Sequence, residues 1–212
     1  MLGGVGLVGR VGQGRFGGRV SAAASAFSPT IKGTRAVLSN GNRDLTSTGG
    51  WTQARGTLGK STGLWYFEAE ILTVTTFGPM IGVADATTTA PASLDDFFGA
   101  GVPHTGGFWS NGGPYFSGIF TIGSAVTTYT AIVGDKLQLA VNFTNGSIWV
   151  GRNNTWDGAT PSTGTTGRAL SFTPGPTFFP SVAVENASTS VRIATGAAQL
   201  TYAPPASFSA WG

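Results

Sequence analysis

Residues 137–150 read LQLAVNFTNGSIWV, two alternating runs separated by an Asn-Gly pair. Every second residue is apolar on the face formed by Leu137, Leu139, Val141, Phe143, Ile148 and Val150. This period is typical of a β-strand with one buried face. Asn145-Gly146 favours a primed two-residue turn, which needs positive φ at both positions. The stretch predicts an antiparallel hairpin, with Leu139 and Val141 buried between two sheets.

Similar short runs occur on both sides of this hairpin. They are AVLSNGNRDLT (36–46), WYFEAEI (65–71), MIGVAD (80–85), FFPSVAV (178–184) and TSVRI (189–193). The first contains another Asn-Gly pair, a second hairpin signal. The 212 residues include 34 Gly and 11 Pro and no long run with a 3.6-residue apolar period. We predict an all-β protein, an antiparallel β-sandwich with short strands and many turns.

The N-terminal part differs from the rest in charge and composition. Residues 1–60 carry eight bases and one acid, a net charge of +7, whereas residues 61–212 carry four bases and eight acids, a net charge of −4. Residues 1–20 contain eight Gly and three Arg. We interpret residues 1–33 as an extended Gly-rich arm and residues 34–212 as the sandwich. The predicted anchoring residues of the arm are Arg10, Arg15, Phe16 and Arg19.

Several classes of function find no support in the composition. The chain has no Cys and one His, which excludes disulfides, thiolate metal sites and His-rich metal sites. It has no apolar run of 18 residues that would suggest a membrane span. Two GxGxxG matches in the arm lack the strand, helix and downstream acid of a dinucleotide site. We expect no metal, no cofactor and no nucleic-acid partner.

Some of these runs follow one another in an order that resembles a known family. The set consists of WYFEAEI (65–71), IGVAD (81–85), GDKLQLAVNFTNGSIWVGRNNTWDG (134–158), FFPSVAV (178–184) and PPASF (204–208). Together they resemble a SPRY domain, a concanavalin-like sandwich, over residues 34–212. The resemblance implies a binding module without catalysis. Residues 86–134 depart from the family pattern as a long Gly- and Thr-rich insertion, so no family binding surface is transferred to them.

Two carboxylates raise the question of catalysis. Glu68 and Glu70 lie two residues apart on a predicted strand, so both face the same side. That spacing is about 6.5–7 Å of backbone, and it could bring the carboxyl groups within the roughly 5–5.5 Å of a retaining glycosidase. Laminarinase-type glycosidases, on a related sandwich, carry a third carboxylate, and Thr73 stands here instead. We interpret the pair as solvent-facing or hydrogen-bonded to the neighbouring strand.

Two further acid sites are weaker candidates. His104, in a predicted loop, could form a triad with Asp95 or Asp96, but no nucleophile elbow accompanies it. The two adjacent aspartates could also hold Ca²⁺ together with backbone carbonyls. Loop solvation is the simpler interpretation of both.

Aromatic and amide residues in Gly-rich loops are the predicted binding residues. They are Phe108, Trp109, Asn111, Tyr115, Phe116, Asn153 and Trp156. Flat apolar rings beside fixed hydrogen-bonding groups are suited to recognition of sugars or proteins. The alternative is that Trp109, Tyr115 and Trp156 close the edge of the sandwich core.

The Gly-rich arm and the Thr- and Gly-rich loops resemble those of bacteriophage structural proteins. We therefore expect a virion protein, assembled in the host cytoplasm as a homo-oligomer, and a tail-fibre or receptor-binding role is the first interpretation. Residues 1–30 would contact other virion proteins, and the loops would adhere to a host glycan or protein. The alternatives are a capsid decoration or head-fibre protein, a glycan-cleaving enzyme using Glu68 and Glu70, and a cellular SPRY adaptor that binds a short peptide.

Overall fold

The computed structural model describes residues 24–74, 78–89, 94–99, 104–110, 113–118, 120–122, 130–158, 160–161 and 170–212. These residues form sixteen β-strands in two sheets, and none of them lies in an α-helix. Consequently, no helix in these ranges is long and apolar enough to cross a membrane. The predicted all-β class with antiparallel sheets is confirmed.

The first sheet contains six strands. Their order is β1 (Phe27–Lys32), β4 (Thr52–Gly56), β14 (Phe178–Val184), β6 (Met80–Asp85), β7 (Thr105–Trp109) and β8 (Pro114–Phe116). All neighbouring pairs are antiparallel.

The second sheet contains ten strands. Eight follow the order β2 (Ala36–Ser39), β3 (Asp44–Ser47), β15 (Ser190–Ala194), β5 (Leu64–Thr73), β10 (Lys136–Asn142), β11 (Ser147–Arg152), β13 (Leu170–Phe172) and β9 (Phe120–Ile122). β12 (Thr155–Trp156) pairs with β11, and β16 (Ser209–Ala210) runs parallel to β5.

The main core lies between the two sheets and is built by alternation along the strands. Leu139 and Val141 of β10 are 0% exposed, which confirms their predicted burial. Phe67, beside Leu139 in the β5–β10 ladder, and Val182 of β14 in the first sheet belong to the same cluster. Burying a side chain of this size stabilises a protein by about 1.5–3 kcal/mol. Both sheets therefore depend on the same apolar contacts.

Two smaller apolar clusters cover the outer faces of the sheets. On the first sheet, Met80 and Ala183 pack with Phe98. On the second sheet, Tyr66 and Trp149 pack with Phe208 of the C-terminal segment, which here means residues 195–212. The outer face of the second sheet is thus partly covered by the chain's own C-terminal segment.

The two predicted Asn-Gly hairpins form, but each is closed by a four-residue loop. Between β2 and β3, Ser39 pairs with Asp44, which leaves a four-residue loop in which Asn40, Gly41 and Asn42 have positive φ of 51°, 64° and 63°. At the β10–β11 turn Asn142 pairs with Ser147, which leaves a four-residue loop in which only Gly146 has positive φ (65°). The predicted primed turn at Asn145-Gly146 is therefore wrong. Phe143, in this loop, is buried in the main core, and that requirement explains the wider connection.

The primed turn occurs one hairpin later, at Asn153-Asn154. Both residues have positive φ, 49° and 64°. They connect Arg152 and Thr155, which face each other in the β11–β12 ladder. This geometry is that of a two-residue hairpin with positive φ at both central positions.

Residues 24–33, assigned to the arm from the sequence, belong to the sandwich. β1 pairs with β4, and Phe27 is 0% exposed in the main core. The backbone amide of Phe27 also donates to Asn42 O at 2.8 Å. The rest of the predicted arm, residues 1–23, lies outside the described ranges, as do the predicted anchors Arg10, Arg15, Phe16 and Arg19.

The predicted loop at residues 104–118 is largely sheet. β7 pairs with β6, and β8 pairs with β7, so these residues extend the first sheet. Three glycines allow this close approach. A Cβ on Gly82, Gly106 or Gly107 would collide with the neighbouring strand or with an aromatic ring. The Gly-rich composition that suggested a loop instead permits tight strand packing.

Candidate functional site

Glu68 is buried on the outer face of β5 and is only 1% exposed. Its carboxylate accepts hydrogen bonds from the Tyr66 hydroxyl at 2.6 Å and from the backbone amides of Thr201 and Tyr202, each at 2.8 Å. The expected solvent-facing position, or a bond to the neighbouring strand, is therefore wrong for Glu68. It binds the C-terminal segment, which lies over this face of the sheet.

A buried polar chain continues from Glu68 to the primed turn. Gln138 Nε2 donates to Tyr66 Oη at 2.6 Å, and the backbone amide of Asn154 donates to Gln138 Oε1 at 2.6 Å. Burial, followed by the hydrogen bond to Glu68, raises the pKa of Tyr66 well above its ordinary value. Tyr66 thus remains a neutral donor, and the network connects β5, β10 and the C-terminal segment.

Glu70 belongs to a row of alternating charges across four strands of the second sheet. Arg192 Nε and Nη2 donate to the Asp44 carboxylate at 2.7 and 2.8 Å, and Lys136 Nζ lies 2.5 Å from Glu70 Oε1. Arg192 is aligned with both Asp44 and Glu70 in the strand register, and Lys136 with Glu70. Opposite charges on directly facing positions stabilise a sheet modestly. Glu70 is therefore engaged in an ion pair.

A pocket of about 230 Å³ opens beside these two glutamates on the outer face of the second sheet. We call it the charged pocket, and its lining consists of Arg43, Glu68, Glu70, Lys136, Arg192, Ala194, Ala198, Gln199 and Thr201. Four strands or strand ends and the C-terminal segment contribute to it. Of its lining, only the two glutamates were singled out from the sequence.

The predicted binding residues Phe108 and Trp109 point to opposite sides of β7. Phe108 is 1% exposed and lies in the main core. Trp109 is half-buried on the outer face of the first sheet, where its indole Nε1 donates to Gly78 O at 2.9 Å. Phe108 is thus a core residue, and Trp109 alone of this pair reaches the surface.

Trp109 has aromatic neighbours that the sequence did not reveal. Trp51 packs edge-on against Trp109 and Phe97, with ring centroids 6.3 and 5.6 Å apart. All three rings are half-buried and rest on the cluster of Met80 and Phe98. We call Trp51, Phe97 and Trp109 the aromatic face. It lies on the outer side of the first sheet.

The other predicted aromatic and amide residues lie elsewhere. Trp156 is half-buried on the second sheet, edge-on to Tyr66 at 6.1 Å. Asn153 accepts a hydrogen bond from the Lys136 amide at 2.9 Å and donates to Asp135 Oδ1 at 2.7 Å, so its side chain fixes the turn. Phe116 packs against the main core. Trp156 and Asn153 belong to the second sheet and Phe116 packs towards the main core, so none of the three adjoins Trp109 on the outer face of the first sheet.

Two predicted positions are only partly described. Tyr115 pairs with Gly107 through the β7–β8 ladder, but its side chain is outside the described atoms. Asn111 lies outside the described residues altogether.

The single histidine is held by a buried aspartate. His104 Nδ1 lies 2.6 Å from Asp85 Oδ2, and the other carboxylate oxygen accepts from the amide and hydroxyl of Thr87, at 2.9 and 2.6 Å. His104 is exposed on one side and has a positive φ of 53°. Asp85 thus replaces Asp95 and Asp96 as the partner expected for His104. The contacts describe a pinned turn without a serine nucleophile among the described partners of the imidazole.

The Asp95 side chain is hydrogen-bonded within the fold. Its carboxylate accepts from the Thr34 hydroxyl, from the Arg35 amide at 3.1 Å and from the Thr52 hydroxyl at 3.0 Å. Burial acts to raise its pKa, but these hydrogen bonds together outweigh it and hold the pKa below its ordinary value. Within the described ranges, no three His, Asp or Glu side chains form a group that could hold a metal ion.

Comparison with known proteins identifies the fold. The structure is similar to the SPRY domain of human HERC1, with a TM-score of 0.60 and 17% identity over 84% of this chain and 100% of that chain. It is also similar to a human SPRY domain, with a TM-score of 0.55 and 15% identity over 75% of this chain and 94% of that chain. The TRIM65 PSpry domain gives a TM-score of 0.54 and 14% identity over 81% of this chain and 92% of that chain.

No family model matches the sequence, and no curated protein matches it either. At these identities the likeness defines the fold, a SPRY-type β-sandwich. This confirms the part of the predicted resemblance that concerns the fold.

Proposed function

We propose that the protein is a non-catalytic binding module. The observation that supports this most directly is the engagement of both candidate carboxylates. Glu68 is buried under three donors, and Glu70 is paired with Lys136. A glycosidase needs one carboxyl group free to protonate the leaving oxygen and another beside the sugar ring. The positions of Glu68 and Glu70 serve the sandwich instead.

The aromatic face is the proposed binding surface. Half-buried Trp and Phe rings offer apolar area at low cost in side-chain entropy, and such residues dominate binding energy at protein interfaces. Trp51, Phe97 and Trp109 are held by edge contacts with one another. Their orientation is therefore fixed before a ligand arrives, which reduces the entropic cost of binding. The proposed ligand is a glycan or a protein surface.

The proposed setting is a bacteriophage particle. It rests on the Gly- and Arg-rich arm and the Thr- and Gly-rich loops of the sequence. In this proposal residues 1–23 fasten the domain to other virion proteins, and the aromatic face adheres to the host surface as part of a tail fibre or receptor-binding protein. A capsid decoration or head-fibre protein is the alternative, in which the same surface contacts neighbouring subunits.

The test compares two tryptophans on different sheets. Labelled wild-type protein, Trp109→Ala and Trp156→Ala are measured for binding to host cells and to a glycan array, with melting temperatures recorded in parallel. We expect Trp109→Ala to weaken binding at least tenfold, and Trp156→Ala to leave it unchanged. Loss of binding in Trp156→Ala alone would move the binding surface to the second sheet. Equal loss in both, with equally lowered melting temperatures, would remove the support for the aromatic face.

A further inference from the structure

The charged pocket contains one cation without an acidic partner. Arg192 is paired with Asp44, and Lys136 is paired with Glu70. Arg43 also lines the pocket, yet no carboxylate of the described residues lies within ion-pair distance of it. Burial acts to raise the pKa of Asp44, but the hydrogen bonds from Arg192 and Asn40 and the charges of Arg192 and Arg43 together outweigh it and lower the pKa.

The Arg43 guanidinium also has an unsatisfied donor. Its Nε is buried and has no hydrogen-bond partner in the described part of the chain. A buried donor without an acceptor costs about 1–3 kcal/mol, so native structures rarely retain one without a reason. A ligand in the open pocket would meet the two Nη groups of Arg43, for which the described residues also provide no hydrogen-bond acceptor.

Gln199 provides a second donor in the same pocket. Its Oε1 accepts from the backbone amides of Thr195 and Gly196, each at 3.2 Å. Two N–H donors at one atom identify that atom as the oxygen and fix the amide orientation. The amide nitrogen of Gln199 has no acceptor among the described residues. Arg43 and Gln199 thus both line the charged pocket and both have N–H groups without an acceptor among the described residues.

The walls restrict what this space can hold. A volume of about 230 Å³ suits one side chain or one sugar ring, since pockets for drug-sized ligands are about 300–1,000 Å³. Glu68 and Glu70 are part of the lining, and their negative charges repel an anion more strongly the higher its charge. A dianion such as phosphate is therefore disfavoured, whereas a monoanion can be placed against Arg43. A planar carboxylate matches the guanidinium fork and gives charge-assisted hydrogen bonds.

We propose that the charged pocket binds a single carboxylate group, held by Arg43 and Gln199. The carboxylate comes either from an acidic or C-terminal residue of a peptide or from a sugar acid. This site goes beyond the proposed aromatic face and does not depend on it, because the two lie on different sheets.

The first experiment identifies the ligand class. The full-length ¹⁵N-labelled protein is titrated with sodium glucuronate, N-acetyl-L-glutamate α-amide and inorganic phosphate, and with glucose and N-acetyl-L-glutamine α-amide as neutral counterparts. We expect shifts at the amides of Gly196 and Gln199, with a dissociation constant on the order of 1 mM for ligands this small. The acid that binds identifies a sugar or a peptide source. Binding of phosphate alone, or of neither acid, would overturn the proposal.

The second experiment tests the residues. Arg43→Gln should weaken binding of the acid about tenfold or more, because a charged hydrogen bond is lost. Arg35→Gln is the matched control, since Arg35 is exposed and outside the pocket lining. Among the described residues its guanidinium donates to the backbone carbonyls of Trp51 and Asp95. Unchanged binding in Arg43→Gln would exclude the site.

A further pair of variants remains informative if Arg43→Gln is unstable. Ala198 is exposed and lines the pocket. Ala198→Glu places a competing carboxylate beside Arg43 and should weaken acid binding, whereas Ala198→Gln adds the same bulk without charge and should weaken it less. Equal effects of the two substitutions would show that charge does not govern the pocket and would reject the carboxylate assignment.

Discussion

Glu68 and Glu70 contribute differently to the stability of the fold, although both lie on the same face of β5. Glu68 accepts two backbone amides and the Tyr66 hydroxyl in a buried site, whereas Glu70 is 32% exposed and paired with Lys136. A buried donor left unpaired costs about 1–3 kcal/mol, while an exposed ion pair contributes about 0–1 kcal/mol. Their neutral variants should therefore separate the two roles.

We predict that Glu68→Gln lowers the free energy of unfolding by about 1–3 kcal/mol. Both carboxylate oxygens of Glu68 accept hydrogen bonds, and the –NH₂ group of glutamine would replace one of these acceptors with a donor. Glu70→Gln, the matched control, should change it by less than about 1 kcal/mol. Urea denaturation measures both. Equal changes in the free energy of unfolding would contradict the different roles assigned to the buried and the paired glutamate.

The same variants test the absence of catalysis. Hydrolysis of β-glucans by the wild type that is abolished by Glu70→Gln would overturn the non-catalytic proposal.

Asp95 makes the free energy of unfolding of the domain depend on pH in the acid range. Its pKa is lowered in the folded state, so its contribution to stability is complete above the ordinary pKa of about 4. That contribution disappears as the pH falls through the lowered value. We predict that wild type exceeds Asp95→Asn in unfolding free energy at pH 6, and that the difference shrinks as the pH falls below about 4. A difference that stays constant down to pH 2 would contradict this.

At the scale of elements, the β10–β11 turn depends on a glycine for two separate reasons. Gly146 has a φ of +65°, and a Cβ there would collide with the carbonyl oxygen of Phe172 in β13. The Phe172 amide donates to Gly146 O at 2.8 Å, so moving either backbone breaks this bond. Gly41 has nearly the same φ, +64°, but no atom lies within 4 Å of the position that a Cβ would occupy there. A substitution at Gly41 therefore measures the backbone strain alone, whereas one at Gly146 measures the strain and the collision together.

We predict that Gly41→Ala costs about 1–2 kcal/mol from the left-handed backbone alone, and that Gly146→Ala costs clearly more. Thermal or urea unfolding of the two variants provides the comparison. Similar losses at both sites would show that β13 moves aside freely. Such a result would contradict the tight packing of β11 against β13.

At the scale of the whole molecule, the residue at which the sandwich begins decides how much of the N-terminus can be removed without loss of stability. Phe27 is buried in the main core, and β1 forms an edge of the first sheet. Removing residues 1–33 therefore deletes a strand and a core ring, and loss of a buried Phe typically costs about 3–5 kcal/mol. Removing residues 1–23 leaves every described contact in place.

We predict that the protein lacking residues 1–23 keeps its melting temperature within a few degrees but no longer joins the particle. The protein lacking residues 1–33 should be strongly destabilised or insoluble. Circular dichroism melts and co-sedimentation with particles measure the two properties. Normal assembly of the shorter truncation would rule out the arm as the anchor.

Strands β5, β10 and β11 of the second sheet, and the faces that they turn towards the core, were predictable from the sequence alone. Alternation in residues 65–71 and 137–150 is a local pattern, and it places Phe67, Leu139 and Val141 in the core without knowledge of any partner. The order of these runs also sufficed for the SPRY-type fold. Such features depend on neighbours two residues apart, which the sequence displays directly.

Only the tertiary structure decided what covers the outer faces. Glu68 accepts hydrogen bonds from Thr201 and Tyr202, which are 133 and 134 residues further along the chain. Arg43 lines the charged pocket because β3, which follows it, pairs with β15. Phe108 and Trp109 are adjacent aromatic residues, so the sequence could not tell which of them is buried. Side chains at successive positions point to opposite faces, and the face that becomes the core is set by the packing of the other sheet.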